Sequence, residues 1–407
     1  MAVRKEGFEG PVFEKTLLDV ERGVYVEHWS LSGEVFGFKG EKAWTIQKRR
    51  LRGGLQEGVD IVRLNNGSLS ITVVPTRGMG IWKGSFKGNL LGWESPIKVP
   101  VHPHFINLDE RGGLGWLRGF NEWVVRCGLE SNGAPGEDII TDNMGRRKSI
   151  MLPLHGRIAN IPASELKAFV RLGKPLEIGL YGSVWEASMF GQNLRLSTYI
   201  TTEPQANWVR IHDIIENLGG TRAEMQLLYH CNYGRPFLEE GARLLLPIKR
   251  VAPRDARASE GMDSFLSFRK PEPGFVEQVY FFELLAGADG WTKVVLEDKD
   301  RKKAVSISFN LERLPCFTLW KNTASLEEGY VTGLEPATNF PNQKAFERSK
   351  GRVLSLGLRE RFEAELILAA HIGEAEVLRL EEDVRKIQGL IEPKVFDSPI
   401  PEFSPLG

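Results

Sequence analysis

Cysteine is scarce. The 407 residues hold three, Cys127, Cys231 and Cys316, far apart and odd in number. That excludes a disulfide scaffold, and with no CxxC pair it argues against a structural zinc site. Net charge is missing too, since 53 Lys plus Arg balance 53 Asp plus Glu. No electrostatic case remains for a nucleic acid or an anionic membrane as partner. No run approaches the roughly 18 apolar residues of a membrane span. The N-terminal MAVRKEGFEG lacks the apolar stretch of a signal peptide. A cytoplasmic protein is the expectation. Several chemical signatures are absent as well: no GxGxxG after a strand, no GxxxxGK[ST], no HExxH and no GxSxG. Phosphate cradles and the serine-hydrolase elbow therefore find no support.

What is present is punctuation. With 43 Gly and 22 Pro, the chain is cut into many short segments, which favours strands. VDIVRLNNGSLSITVVPTRG reads as two strands around an Asn-Asn-Gly turn. Further strand candidates include IWKGSF, FVRL, LEIGLYGSVWEA, LRLSTYITT, WVRIHDIIEN, MQLLYHCNY, VYFFELL, AVSISFN and FTLWKN. One segment, residues 375–391, carries a clear helical period through Val377, Leu378, Leu380, Val384, Ile387 and Leu390. The polar, Gly-rich residues 131–148 read as a long loop. Many strands with no mid-chain linker predict one large all-β sandwich with few short helices. The expected division is an N-terminal appended segment (1–45), the sandwich (46–375), and a C-terminal helix and extended tail (376–407) packed on it.

Three segments share one form: a strand, then a titratable group, then a Gly or Pro turn. MLPLHGRIANIPA reads as a buried strand, Met151 to Leu154, that stops at His155, with Gly156 and Arg157 following. LLYHCNYGRP places His230 at a strand end before Asn232, Tyr233 and Arg235. VTGLEPATNFPNQ sets Glu335 before Pro336, with Asn339 and Asn342 close behind. Two histidines and a carboxylate converging on one cleft would be a kit for general acid–base chemistry on a neutral polar substrate. His102 and His104 stand at i and i+2 and are a candidate metal pair, though a proline-containing loop is the simpler account of them.

These segments, in this order, resemble the aldose 1-epimerase (galactose mutarotase-like) superfamily. LLYHCNYGRP looks like its second-histidine segment, VTGLEPATNFPNQ its catalytic-glutamate segment and HGRIANIPA its first-histidine segment. TRGMGIWKGSFKGNLLGW is similar to its N-terminal strand pair. HGRIANIPA and WVVRCGLESNGAP look more specifically like a bacterial aldose-epimerase-like subgroup (DUF4432-like). The resemblance spans roughly residues 60–375. It implies a super-β-sandwich, an isomerase that interconverts sugar anomers without a cofactor, and a small sugar as partner to a monomer or homodimer. By the same resemblance Glu335 would be the base, His230 the acid, and His155 would orient the sugar.

The family's sugar-gripping aspartate has no match in FVEQVYFFELL, so Glu277, Gln278 or Tyr280 would have to serve. Its arginine has no clean match either; Arg118 and then Arg77 are the substitutes. Arg157, Asn232, Asn339 and Trp320 complete the expected substrate-binding set, and Trp116 and Trp123 could also stack on a sugar face. Arg118, Arg126, Arg157 and Arg235 leave a phosphosugar open. Two other readings stand beside the isomerase: a non-catalytic carbohydrate-binding protein, and another sugar epimerase or lyase reusing the same cleft.

Overall fold

The alternating hydrophobicity around Asn65-Asn66-Gly67 resolves into a hairpin. Asp60–Asn65 and Leu69–Val74 pair antiparallel, with Val62 opposite Val73 and Asn65 opposite Ser70. The same period-two pattern, one face apolar and the other polar, recurs along most strands and sorts them into two large sheets. The structure, a computed structural model, describes residues 12–40 and 43–407.

The smaller sheet has ten strands, beginning with Arg243–Leu245, Trp291–Glu297, Lys303–Asn310, Arg361–Ile372 and Trp208–Asn217. It continues through Asn193–Thr202, Glu177–Ala187, Glu165–Arg171, Val12–Asp19 and Val24–Tyr25. The larger sheet has fourteen. Its middle carries Ile248–Pro253, Gln278–Leu284, Cys316–Asn322, Val331–Ala337, Ala223–Tyr233, Val124–Leu129 and Gly80–Phe86, in that order. The facing sides form one apolar core, with Ile81, Leu196, Ile211, Leu227, Tyr229, Ile307 and Leu366 all buried. An ion pair crosses it: Arg126 meets Asp213 through Nε–Oδ2 (2.5 Å) and Nη2–Oδ1 (2.8 Å), and the Tyr229 hydroxyl donates to the same carboxylate at 2.8 Å.

Several elements differ from the sequence reading. Val12–Asp19 pairs with Glu165–Arg171 and sends Leu17 into the core, while Trp29–Ser32 extends the larger sheet beside Thr45–Arg50. The N-terminal region is therefore woven into both sheets; its first eleven residues lie outside the described residues. The expected loop at 131–148 contains a two-stranded hairpin, Gly136–Thr141 with Arg147–Leu152. Its turn is closed by Asp142, whose Oδ1 accepts from Met144 and Arg146 N–H groups. The buried strand expected at Met151–Leu154 ends at Leu152, and Met151 is exposed because it lies opposite Glu137 on the hairpin's solvent face, while Asp138 and Leu152 are buried on the other.

The helix forms over Glu374–Gln388 and buries Val377, Leu380 and Val384 against Val295 and Ala304. Beyond it, Lys394–Val395 joins Ile248–Pro253 in parallel, and Ile400 and Phe403 pack with Phe281 and Phe340. That tail lies on the side of the larger sheet turned away from the inter-sheet core.

Candidate active site

On that same outer side the strand register assembles the chemistry. Cys231 pairs with Leu334, which sets His230 of Ala223–Tyr233 beside Glu335 of Val331–Ala337. On the next strand Trp320 lies opposite Gly333 and Thr318 opposite Glu335. His230 Nε2 stands 3.1 Å from Glu335 Oε1. Both are nearly sealed, at 4% and 2% exposed.

Gly333 makes the contact sterically possible. A Cβ at this position would sit 2.6 Å from Glu335 Oε1 and 2.9 Å from His230 Cε1. Any larger residue would wedge the pair apart.

His155 arrives from a loop. Its backbone is left-handed, φ 58°, a conformation histidine tolerates better than most residues. Three backbone hydrogen bonds hold the turn: His155 N–H to Gly133 O, Gly128 N–H to His155 O and Arg157 N–H to Gly128 O. Gly156 is needed next, because a Cβ there would lie 2.1 Å from the Ser131 carbonyl oxygen. The imidazole Nδ1 is 2.9 Å from Asn132 O. A carbonyl only accepts, so Nδ1 carries the hydrogen and Nε2 is left as an acceptor.

Aromatic rings enclose the three groups. Trp116 lies 4.6 Å from His155, Phe120 5.1 Å from His230, and Trp320 5.4 Å from His230, centroid to centroid; the two imidazoles are 5.5 Å apart. Trp320 Nε1 donates to Glu277 Oε2 at 2.7 Å, and Arg254 Nη2 donates to Glu277 Oε1 at 3.0 Å. The wall is therefore apolar with one braced carboxylate. The Thr318 hydroxyl and Trp116 Nε1 are buried beside it with no hydrogen-bond partner among the described residues.

This setting controls charge. Burial pushes the Glu335 carboxyl well above the usual range; nearby Glu277 adds to the rise and Arg254 opposes it. Burial and the neighbouring His155 push His230 well below an ordinary histidine, with Asn232 opposing. Burial takes His155 down to about 4, against its bond to Asn132 and the field of Glu277. Both shifts favour the uncharged forms, a protonated Glu335 donating to Nε2 of a neutral His230.

Of the expected residues, His155, His230, Glu335, Glu277, Trp116 and Trp320 come together. The rest do not join them. Arg77 is buried, with four of its five N–H groups committed to Glu122, Asn160, Val101 O and Gly119 O. Gln278 points to the opposite side of its strand and donates to Arg257 O. Arg118 is exposed and paired with Glu110, and Arg157 is exposed, 3.8 Å from Asp109. Arg126 lies in the inter-sheet core, away from any rim.

Asn232 is wholly buried behind His230. Asn339 exchanges two amide bonds with Asn132 and so braces the partner of His155. Trp123 packs in the core at Tyr233. His102 Nδ1 accepts from the His104 N–H. Among the described residues no group of three His, Cys, Asp or Glu is placed to hold a metal, and no helix is long and apolar enough to cross a membrane.

The β-sandwich is the fold of the galactose mutarotase-like, aldose-epimerase-like proteins. Residues 56–369 match the family described as Domain of unknown function (DUF4432), and the chain belongs to that family. A candidate aldose 1-epimerase from Klebsiella pneumoniae is 34% identical, with TM-score 0.90, covering 96% of this chain and 99% of its own. A galactose mutarotase-like protein from Clostridium acetobutylicum shares the fold at 14% identity and TM-score 0.54, covering 85% of this chain and 99% of its own. A candidate aldose 1-epimerase from Escherichia coli K12 does so at 14% and 0.50, covering 77% and 100%. No curated protein matches the chain.

Proposed function

We propose that the protein is a sugar isomerase of the aldose 1-epimerase type. The observation that carries the reading is the sealed His230–Glu335 contact at 3.1 Å beside an aromatic wall. A pyranose entering the cleft replaces that contact. The shared proton then rests on His230 Nε2, and the carboxylate of Glu335 accepts a hydrogen bond from the anomeric hydroxyl. Glu335 removes the hydroxyl proton as the C1–O5 bond breaks, and Nε2 delivers its proton to O5. The open aldehyde turns about C1–C2, and the same steps in reverse close the ring on its other face. Only protons move, so the reaction calls for no redox partner. General acid–base help of this kind is worth about 10²–10⁴-fold per group.

His155 Nε2, kept unprotonated, accepts a hydrogen bond from the sugar. Glu277 accepts another, held in aim by Trp320 and Arg254. Trp320 and Phe120 cover the C–H side of the ring. The small sugar is the partner; the Klebsiella protein's name as a candidate aldose 1-epimerase supports the same class. Anomer exchange measured by NMR across neutral, acidic and phosphorylated sugars tests the reading. Accelerated exchange is expected for at least one sugar, lost in Glu335→Gln and in His230→Asn. Binding that persists with no acceleration for any sugar would point to a carbohydrate-binding protein instead.

A further inference from the structure

Asn232 sits where no sugar can reach it, yet every polar atom of its side chain is committed. Its Nδ2 donates to Glu122 O at 3.0 Å and to His230 O at 3.1 Å. Carbonyl oxygens only accept, so these two partners fix which end of the amide is nitrogen. The remaining atom, Oδ1, lies 2.6 Å from His230 Nδ1. An amide oxygen cannot donate. Nδ1 must therefore carry the hydrogen, and the neutral imidazole has its lone pair on Nε2, the atom that faces Glu335.

The amide is itself clamped. The Glu122 carbonyl that takes one of its hydrogens also accepts from Trp93 Nε1 at 3.1 Å. The Glu122 carboxylate is held by Arg77 Nε at 2.7 Å, and Arg77 reaches Asn160 Oδ1 and Gly119 O. All of these groups but Asn160 and Trp93 are buried. The chain Arg77, Glu122, Asn232, His230 is thus a brace with one outlet.

We infer that Asn232 is a positioning residue that fixes the tautomer of His230, so that Nε2 alone trades protons with Glu335 and substrate. The inference deepens the proposed acid–base role and rests on it for the rate readout alone. A free imidazole interconverts its tautomers readily; here the wrong one would aim N–H at the carboxyl and leave Nδ1 facing Oδ1 with no hydrogen between them. Both histidines of the site obey the same rule, since His155 Nδ1 is spent on Asn132 O. Each therefore presents Nε2 as its working atom.

The test uses the full chain labelled with 15N-histidine. Long-range 1H–15N spectra assign each ring nitrogen, with His230→Asn identifying the His230 signals. Wild type is expected to show His230 protonated at Nδ1. Asn232→Leu, which has the size but no acceptor, is expected to shift the proton toward Nε2. It should also lower kcat for anomer exchange about 10²–10⁴-fold with little change in KM. Asn232→Asp keeps the acceptor for Nδ1 but sets an oxygen against Glu122 O and His230 O in place of a donor, so it should keep the Nδ1–H tautomer with a kcat below wild type and above that of the Leu variant. An Nε2–H tautomer in wild type overturns the inference. So does a Leu variant with an unchanged tautomer, or one with a switched tautomer and a normal kcat. If the Leu variant does not fold, the wild-type and Asp spectra still decide. If wild type exchanges no sugar, the isomerase reading fails, and the tautomer spectra judge Asn232 on their own.

Discussion

Gly333→Ala perturbs the site by one methyl group, and its effect can be worked from distances. The added carbon would lie 2.6 Å from Glu335 Oε1, 2.9 Å from His230 Cε1 and 3.2 Å from His230 Nδ1. Ordinary contacts begin near 3.4 Å, so one of the two side chains must give way by several tenths of an ångström. His230 is the less able to move, since Asn232 holds its far nitrogen. Glu335 would be displaced from Nε2. Overpacking of a closed site costs about 1–3 kcal/mol, visible as a lower melting temperature. The rate should suffer more, because misplacing a reacting group by about 1 Å costs roughly 10²-fold. Gly220→Ala is the control, as a Cβ there meets nothing within 4 Å. Thermal unfolding and anomer exchange are measured on both. A folded Gly333→Ala protein with a wild-type rate would refute the assignment of this contact as the proton-transfer pair.

Other expectations follow from the same structure. The depressed His155 and His230 favour the neutral fold, so their contribution is complete above about pH 6.5 and disappears as pH falls; for His155 the loss runs down to about 4. It is worth up to about 3 kcal/mol for His155, less where solvent screens the ring, and His155→Gln should flatten the acid limb of melting temperature against pH. Glu335 works in the opposite sense: its raised carboxyl favours the fold at low pH and loses that contribution as pH rises, so Glu335→Gln should hold its melting temperature better than wild type on the alkaline side. Arg126→Met strands Asp213 and Tyr229 between the sheets and should cost about 3–5 kcal/mol in denaturant unfolding. Arg118→Ala and Arg157→Ala, both exposed, should each change stability by less than about 0.5 kcal/mol and leave KM for the active sugar unaltered.

The sandwich was legible because alternation and glycine–proline punctuation act locally. The hairpin at 60–74 and the helix near 375–391 rest on the same short-range signals. His155, His230 and Glu335 were singled out because each ends an apolar run just before a turn, a pattern visible within ten residues. What one strand does to another was not legible. Register decides that Gln278 turns away while Trp320 faces the cleft, and nothing within either segment states that register. Arg77 stood as a substitute for the family's arginine; its partner Glu122 comes 45 residues later, beyond any local pattern.

Trp116 was among the aromatic candidates, but Phe120, which covers His230 beside it, lies in a long connection with no period of its own, so only tertiary packing reveals it. Arg254, the brace of Glu277, and Asn132, the partner of His155, gave no signal in sequence. The hairpin at 136–152 was hidden by its polarity. Its strands bury little, and so they lack the apolar stripe that marks a strand elsewhere in this chain.

The central claim is that His230 and Glu335 pass protons to a sugar ring. Magnetisation exchange between α and β anomers, recorded for wild type, Glu335→Gln and His230→Asn across the sugar panel, tests it most directly. The account predicts at least one sugar whose exchange wild type accelerates over buffer and neither variant does, with both variants still folded. Acceleration that survives in both variants, or its absence for every sugar with wild type, would contradict it.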